Sequence, residues 1–167
     1  MLSIPEAVPA HEPKPRLLAP NFDGIPDELK QFAGQYVLWR LERTNGRWTK
    51  VPRQHDGRKA SVSRSQTWVD FDVAVAAYEN GEFDGVGIVL TKELGLVGLD
   101  FDHFTVEQAR PYLFQGYAEL SPSGKGLRQF IYGQKPRGAK CSFTLGGGQK
   151  FEMYDRARFL TITGHRV

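Results

Sequence analysis

The sequence predicts an α+β domain in which strands dominate and two or three short helices lie between them. Three observations carry that expectation. Short runs rich in Val, Ile and Leu recur at 86–90 and 96–101, the length and composition of buried strands. Asn45-Gly46 separates two strand-like segments, a strong signal for a tight hairpin. Helical periodicity is confined to short stretches, so a doubly wound parallel sheet is not expected.

Element by element, proline-rich residues 1–20 show no periodicity, and 1–21 are expected to form a flexible arm before one folded domain at 22–167. Asp27 is expected to cap a short helix running to about Phe32. Residues 35–42 read as a strand, with Trp48–Val51 as its hairpin return. After a Gly-containing basic loop, Ser65 or Thr67 is expected to cap a helix over about 69–79. Phe71, Val75 and Tyr78 would share its apolar face, and Asn80-Gly81 would end it. The runs 86–90 and 96–101, joined by Thr91–Gly95, read as paired central strands. A short helix at about 105–113, strands at 117–120 and 127–132, a loop over 133–148, and strands at 150–154 and 158–163 complete the chain.

With 167 residues, the chain suits one compact domain or two tightly joined sub-modules. Its 40% hydrophobic and 25% charged content is ordinary for a soluble globular protein. No apolar run is long enough to span a membrane. The N-terminus lacks the pattern of a secretory signal, and a cytoplasmic location is expected. A single cysteine, Cys141, excludes an internal disulfide and a zinc ribbon. The net charge of +3 is too mild to argue for nucleic acid by itself. The local distribution says more: residues 40–64 carry Arg40, Arg43, Arg47, Lys50, Arg53, Arg58, Lys59 and Arg64 against Glu42 and Asp56. Interleaved with Trp39, Trp48 and nearby Trp68, this is either a solvated loop or a phosphate-tracking surface.

Three constellations could carry chemistry. In Gly98-Leu99-Asp100-Phe101-Asp102-His103, Asp100 and Asp102 are two apart on a strand and therefore face the same way. Two carboxylates at the end of an apolar strand repel unless a cation sits between them, and hard divalent ions take oxygen ligands. The plainer alternative is a polar strand end running into a turn. Ser121-Pro-Ser-Gly-Lys-Gly-Leu-Arg128 can turn backbone N–H groups toward an anion, with Lys125 and Arg128 adding charge. It lacks P-loop spacing and could be an ordinary turn. In the third segment, Lys150 to His165, Glu152 is the polar member of an apolar strand and could join the Asp pair. Asp155 competes for that role but reads as a turn residue, and Arg158 and His165 stand at the two ends of the next strand.

In series, these segments resemble the archaeo-eukaryotic primase superfamily, and most closely the primase-polymerase domains of phage and plasmid replication proteins. The resemblance covers about residues 22–167. It rests on Trp48-Thr-Lys-Val-Pro52, Thr67-Trp68, Gly85-Val-Gly-Ile88, Gly98-Leu-Asp-Phe-Asp102, Glu119-Leu-Ser-Pro-Ser-Gly-Lys-Gly126, Phe151-Glu-Met-Tyr154 and Arg158-Phe-Leu-Thr-Ile-Thr-Gly164. It implies an RRM-like sheet module, antiparallel or mixed, packed on a second small α/β module, with the active site in the cleft. It implies Mg2+ or Mn2+ on Asp100, Asp102 and Glu152, the catalytic carboxylates. Ser121, Ser123, Lys125 and Arg128 would bind the nucleotide triphosphate, joined by Lys50 and His165. Many relatives carry His where this chain has Arg128; an arginine holds a triphosphate bidentately but does not shuttle a proton at neutral pH.

The expected partners are nucleoside triphosphates, a single-stranded DNA template held by segment 40–64, and a helicase domain or protein, with no membrane. The chain is expected to be part of a longer replication protein, phage or plasmid encoded and working in a bacterial host. A non-catalytic primase-like module that binds DNA for a replication initiator is the alternative. A rolling-circle endonuclease would need a His-hydrophobic-His pair, whereas His11, His55, His103 and His165 are far apart in sequence.

Overall fold

The computed structural model describes residues 12–167. Two antiparallel sheets form its frame. The first has the order β2-β1-β3-β9 and comprises β1 (Tyr36–Thr44), β2 (Arg47–Arg53), β3 (Gly85–Leu90) and β9 (Arg158–Ile162). The second has the order β5-β6-β4-β8-β7 and comprises β4 (Leu96–Asp102), β5 (Tyr117–Leu120), β6 (Gly126–Tyr132), β7 (Ser142–Thr144) and β8 (Lys150–Tyr154). Helix α2 (Phe71–Glu79) covers the first sheet; α1 (Asp27–Lys30) and α3 (Val106–Ala109) are single turns. The α+β class is the one the sequence predicts.

The hairpin between β1 and β2 turns at Asn45 and Gly46, both at positive φ (50° and 78°). Two successive positive φ values are what a two-residue hairpin turn requires, and Asn-Gly tolerates them. Helix α2 starts two residues later than expected, and its N-cap is Asp70, not Ser65 or Thr67. The Thr67 hydroxyl is already engaged, donating to the Arg64 carbonyl (2.7 Å) and accepting from the Ser61 amide (3.1 Å). Likewise α1 begins at Asp27, with Pro26 as its N-cap.

One expectation is overturned. The apolar runs β3 and β4 do not pair; each is an interior strand of a different sheet. β3 spends its edges on β1 and β9, and β4 on β6 and β8. The loop expected over 133–148 also contains strand β7, which extends the second sheet beyond β8.

Alternation along β4 sets the site. Leu96 belongs to the core shared with the first sheet and α2, together with Tyr36, Leu38, Ile88, Leu90, Leu160 and Ile162. Val97, Leu99 and Phe101 belong to a second cluster with Phe104, Ala109 and Leu127 on the opposite face. With a side-chain period of two, Leu96, Gly98, Asp100 and Asp102 therefore look toward the first sheet. At Gly98 the two sheets are in tight contact: a Cβ there would collide with Leu160 Cδ1 of β9 and press on Leu90 Cδ1 of β3. Beyond Gly98 the sheets diverge, and the acidic residues face the resulting cleft.

Residues 12–20, the described part of the expected arm, run along the body. The Leu18 amide donates to the Pro122 carbonyl (2.8 Å), Lys14 pairs with Asp84 (2.8 Å), and the Glu12 carbonyl accepts from Trp48 Nε1 (3.2 Å). Residues 1–11 of the arm, His11 among them, lie outside the described residues. Among the described residues no helix is long and apolar enough to cross a membrane.

Candidate active site

Register places a polar row across the second sheet. Asp100 of β4 lies directly opposite Arg128 of β6 on one side and Glu152 of β8 on the other. Arg128 in turn lies opposite Glu119 of β5. Asp102, two residues on, shares the face. The structure thereby brings Asp100, Asp102 and Glu152 together, with one carboxylate oxygen of each within 4.8 Å of the others. Asp155 does not join them. It is buried beyond the end of β8, accepts from the Lys135 amide (3.0 Å) and pairs with Arg156 (2.9 Å).

These carboxylates look into a cleft of about 730 Å³ between the sheets. Its opposite walls are Leu41, Trp48, Lys50 and Pro52 of the β1–β2 hairpin and Phe159, Leu160 and Thr161 of β9. Four cationic side chains face the three acids: Lys50, Arg128, Lys150 and Arg158. Sequence reasoning singled out Lys50 and Arg128. It assigned nothing to Lys150, although its partner Glu152 is two residues away on the same strand, and left Arg158 as a strand-end residue.

Each acid has its own environment. Arg128, nearly fully buried, donates to Thr161 Oγ1 of the other sheet. Its Nε lies 3.4 Å from Asp100 Oδ1, yet neither atom is aligned for a hydrogen bond, and both are buried without a partner. The Asp102 carboxyl is pushed above its usual range, first by burial and then by the charge of Asp100, with Glu152 adding to it. Burial would also raise Glu152. Hydrogen bonds from Lys150 Nζ (2.7 Å) and the Tyr154 hydroxyl (2.7 Å) outweigh it and hold this carboxyl below the usual range. Arg158 extends the chain: its guanidinium donates to the Tyr154 hydroxyl (2.5 Å) and lies 4.3 Å over the Tyr154 ring. Lys50 is brought down to about 8, by burial first and then by Arg128, with Asp100 and Asp102 opposing.

The residues fit a divalent cation. A buried carboxylate oxygen without a partner, a neighbouring acid destabilised by like charge, and an all-oxygen donor set are the features such an ion satisfies.

Not every predicted residue lines the cleft. Ser121, Ser123 and Lys125 form the β5–β6 turn, at the Asp102 end of the sheet, where Gly126 pairs with Asp102. The turn closes on itself: the Gly124 amide donates to the Ser121 carbonyl (2.8 Å), and Ser123 Oγ lies 3.2 Å from Ser121 Oγ. His165 lies elsewhere, in a surface groove with Asn21, Asp23 and Gly24, its Nε2 2.7 Å from the Ala19 carbonyl. Of the basic segment, Arg40 pairs with Glu82 (2.8 Å), Arg53 bidentately with Glu42 (2.6 and 2.7 Å) and Arg58 with Asp56 (2.7 Å). Trp39 is core, and Trp48 and Trp68 are half-buried.

A residue that sequence reasoning passed over is Glu119. It is fully buried and accepts from the Tyr117 hydroxyl (2.6 Å) and from the amides of Thr163 (2.9 Å) and Gly164 (2.8 Å). Its carboxyl is pushed up by burial, against those hydrogen bonds. It ties the end of β9, and so Thr161, to the sheet that carries Arg128. An acidic residue at an inward position of a short apolar strand was the available signal.

Three acids gathered on one face of an antiparallel sheet, lining a cleft with lysine and arginine, form a cluster compatible with a divalent cation. The chain is 36% identical over 146 residues to the DNA primase-polymerase of Nitratiruptor phage NrS-1, a match covering 81% of this chain. That similarity supports a primase-polymerase family for this chain, as its motifs imply. The match covers 20% of the relative, so the chain spans about a fifth of that protein's length. No family model matches the chain.

Proposed function

We propose that the chain carries metal-dependent, template-directed nucleotidyl transfer, from a (d)NTP to a 3′-hydroxyl on a single-stranded DNA template. The convergence of Asp100, Asp102 and Glu152 on the floor of the cleft is the observation that carries this reading. The name of the phage relative supports it. Mg2+ or Mn2+ bound there supplies activation of the attacking oxygen and neutralisation of charge at the transferring phosphorus.

The chain's own side chains supply the rest, which is positioning and charge. Lys50 and Arg158 face the acids from the far wall and the mouth, and receive the β- and γ-phosphates of the incoming nucleotide. Arg128, fixed by Thr161 and Asp100, adds charge from the floor. Ser123 and Lys125 lie outside the cleft, in the β5–β6 turn at the Asp102 end of the sheet, and would reach the phosphates only if that turn moved. Lys150 and Tyr154 keep Glu152 ionised. Pyrophosphate leaves toward solvent past Arg158. In the cell, a helicase activity elsewhere in a longer replication protein would present the single strand.

The test is incorporation of labelled nucleotide on a primed template by the purified chain with Mg2+ or Mn2+. The reading requires metal-dependent incorporation that Asp100→Ala abolishes. No incorporation with either metal, together with DNA affinity unchanged in Asp100→Ala, would instead make the chain a non-catalytic DNA-binding module.

A further inference from the structure

A second concave site lies beside the cleft. A pocket of about 470 Å³ opens where the β3–β4 connection, the loop between β6 and β7, and the β8–β9 turn meet. Lys92, Lys135, Arg137 and Arg156 line it against one carboxylate, Asp155. Tyr154 is common to this pocket and to the cleft, so the two are neighbours separated by one aromatic side chain. Asp155 is spoken for by Arg156 and the Lys135 amide. Lys92 and Arg137 are exposed and have no ion-pair partner among the described residues.

Segment 40–64 also has cations without an ion-pair partner among the described residues, Arg47, Lys59 and Arg64, but they line neither the cleft nor this pocket. That segment has more basic residues, but Arg40, Arg53 and Arg58 are neutralised within the chain, and Arg43 is spent on the carbonyls of Glu12 and Gly46. The pocket gathers Lys92 and Arg137 into one concavity with Lys135, whose Nζ donates to the Ala139 carbonyl, and Arg156, which pairs with Asp155. A surplus of cations around a hollow raises the local concentration of an anion, and several cations from separate loops match a chain of phosphates better than one compact ion. We infer that this pocket is the track for the backbone of the single-stranded template as it leaves the cleft past Tyr154. The inference rests on the nucleotidyl-transfer reading for the identity of the strand, but not for the existence of the site.

The experiment measures binding of a labelled single-stranded oligonucleotide to the whole chain by fluorescence anisotropy, without metal or nucleotide, across a salt series. Lys92→Ala/Arg137→Ala is expected to weaken binding roughly tenfold. Its log K against log salt slope should flatten by about 1.4, at about 0.7 per phosphate contact on a single strand. The exposed charge-reversal pair Lys92→Glu/Arg137→Glu should weaken it further, and a thermal melt checks that each variant is folded. Unchanged affinity and salt slope in both folded variants would overturn the assignment. So would a loss confined to nucleoside triphosphate binding measured without DNA, which would make the pocket a nucleotide site. Because the measurement needs no turnover, failure of the catalytic reading leaves its result intact and readable.

Discussion

Gly98 of β4 lies directly beneath Leu160 of β9, with no room for a Cβ between them. This contact is the pivot between the two sheets: on one side lies the shared apolar core, and on the other the sheets part to form the cleft. Gly98→Ala must displace a buried leucine, and overpacking of that kind costs about 1–3 kcal/mol. In urea titrations, Gly98→Ala is expected to lose stability by that amount. Combined with Leu160→Ala, which empties the space, it should cost clearly less than the sum of the two single changes.

Two tyrosines on facing sheets make a matched pair. The Tyr36 hydroxyl is buried without a hydrogen-bond partner, whereas the Tyr117 hydroxyl donates to Glu119 at 2.6 Å. Removing an unsatisfied buried hydroxyl is neutral to stabilising, and removing a satisfied one leaves its partner exposed to the desolvation cost, about 1–3 kcal/mol. Thermal denaturation should show Tyr36→Phe at or above the parent and Tyr117→Phe below it.

If Lys50 binds the nucleotide triphosphate as proposed, it makes nucleotide affinity pH-dependent. Its value near 8 means that it is charged below that pH and neutral above it, so attraction to a triphosphate fades as pH rises from about 7 to 9.5. Lys50→Arg stays charged throughout. Nucleotide binding measured by calorimetry across that window should fall for the parent and remain flat for Lys50→Arg.

Glu152 is held ionised by Lys150 and Tyr154. Tyr154→Phe removes one of those hydrogen bonds, so the carboxyl must rise and the carboxylate form is lost at a higher pH than in the parent. The acid limb of the pH–rate profile for nucleotide incorporation should move upward, while the rate at pH 8, where Glu152 is ionised in both, changes much less.

Much of this architecture is readable residue by residue. Asn45-Gly46 announces its turn because few dipeptides accept two positive φ values, and Asp100-Phe101-Asp102 announces a shared face because strand periodicity is fixed. Glu152, rather than Asp155, follows from the same rule once its partner strand is known. Strand pairing is what local sequence does not encode: β3 and β4 are both apolar, adjacent and short, and nothing in either says that each will find two other partners. For the same reason Thr161 could not be linked to Arg128, nor Arg158 to the cleft, before the sheets were assembled, whereas Lys150 and Glu152 share a strand face two residues apart. The Ser121–Gly126 loop has the composition of an anion cradle, but its serines bond one another and its own backbone. In segment 40–64 the abundance of arginine suggested a nucleic-acid surface, whereas Glu42 and Asp56 within it neutralise Arg53 and Arg58, and Glu82 from outside it neutralises Arg40.

The central claim is that Asp100, Asp102 and Glu152 act as one cation site, and Mn2+ binding followed by electron paramagnetic resonance tests it without turnover. The account predicts that the parent binds Mn2+ and that Asp100→Asn, Asp102→Asn and Glu152→Gln each weaken binding at least roughly tenfold, the loss of one charged oxygen ligand being worth more than about 1.4 kcal/mol. Mn2+ affinity in the three folded variants equal to that of the parent would contradict it.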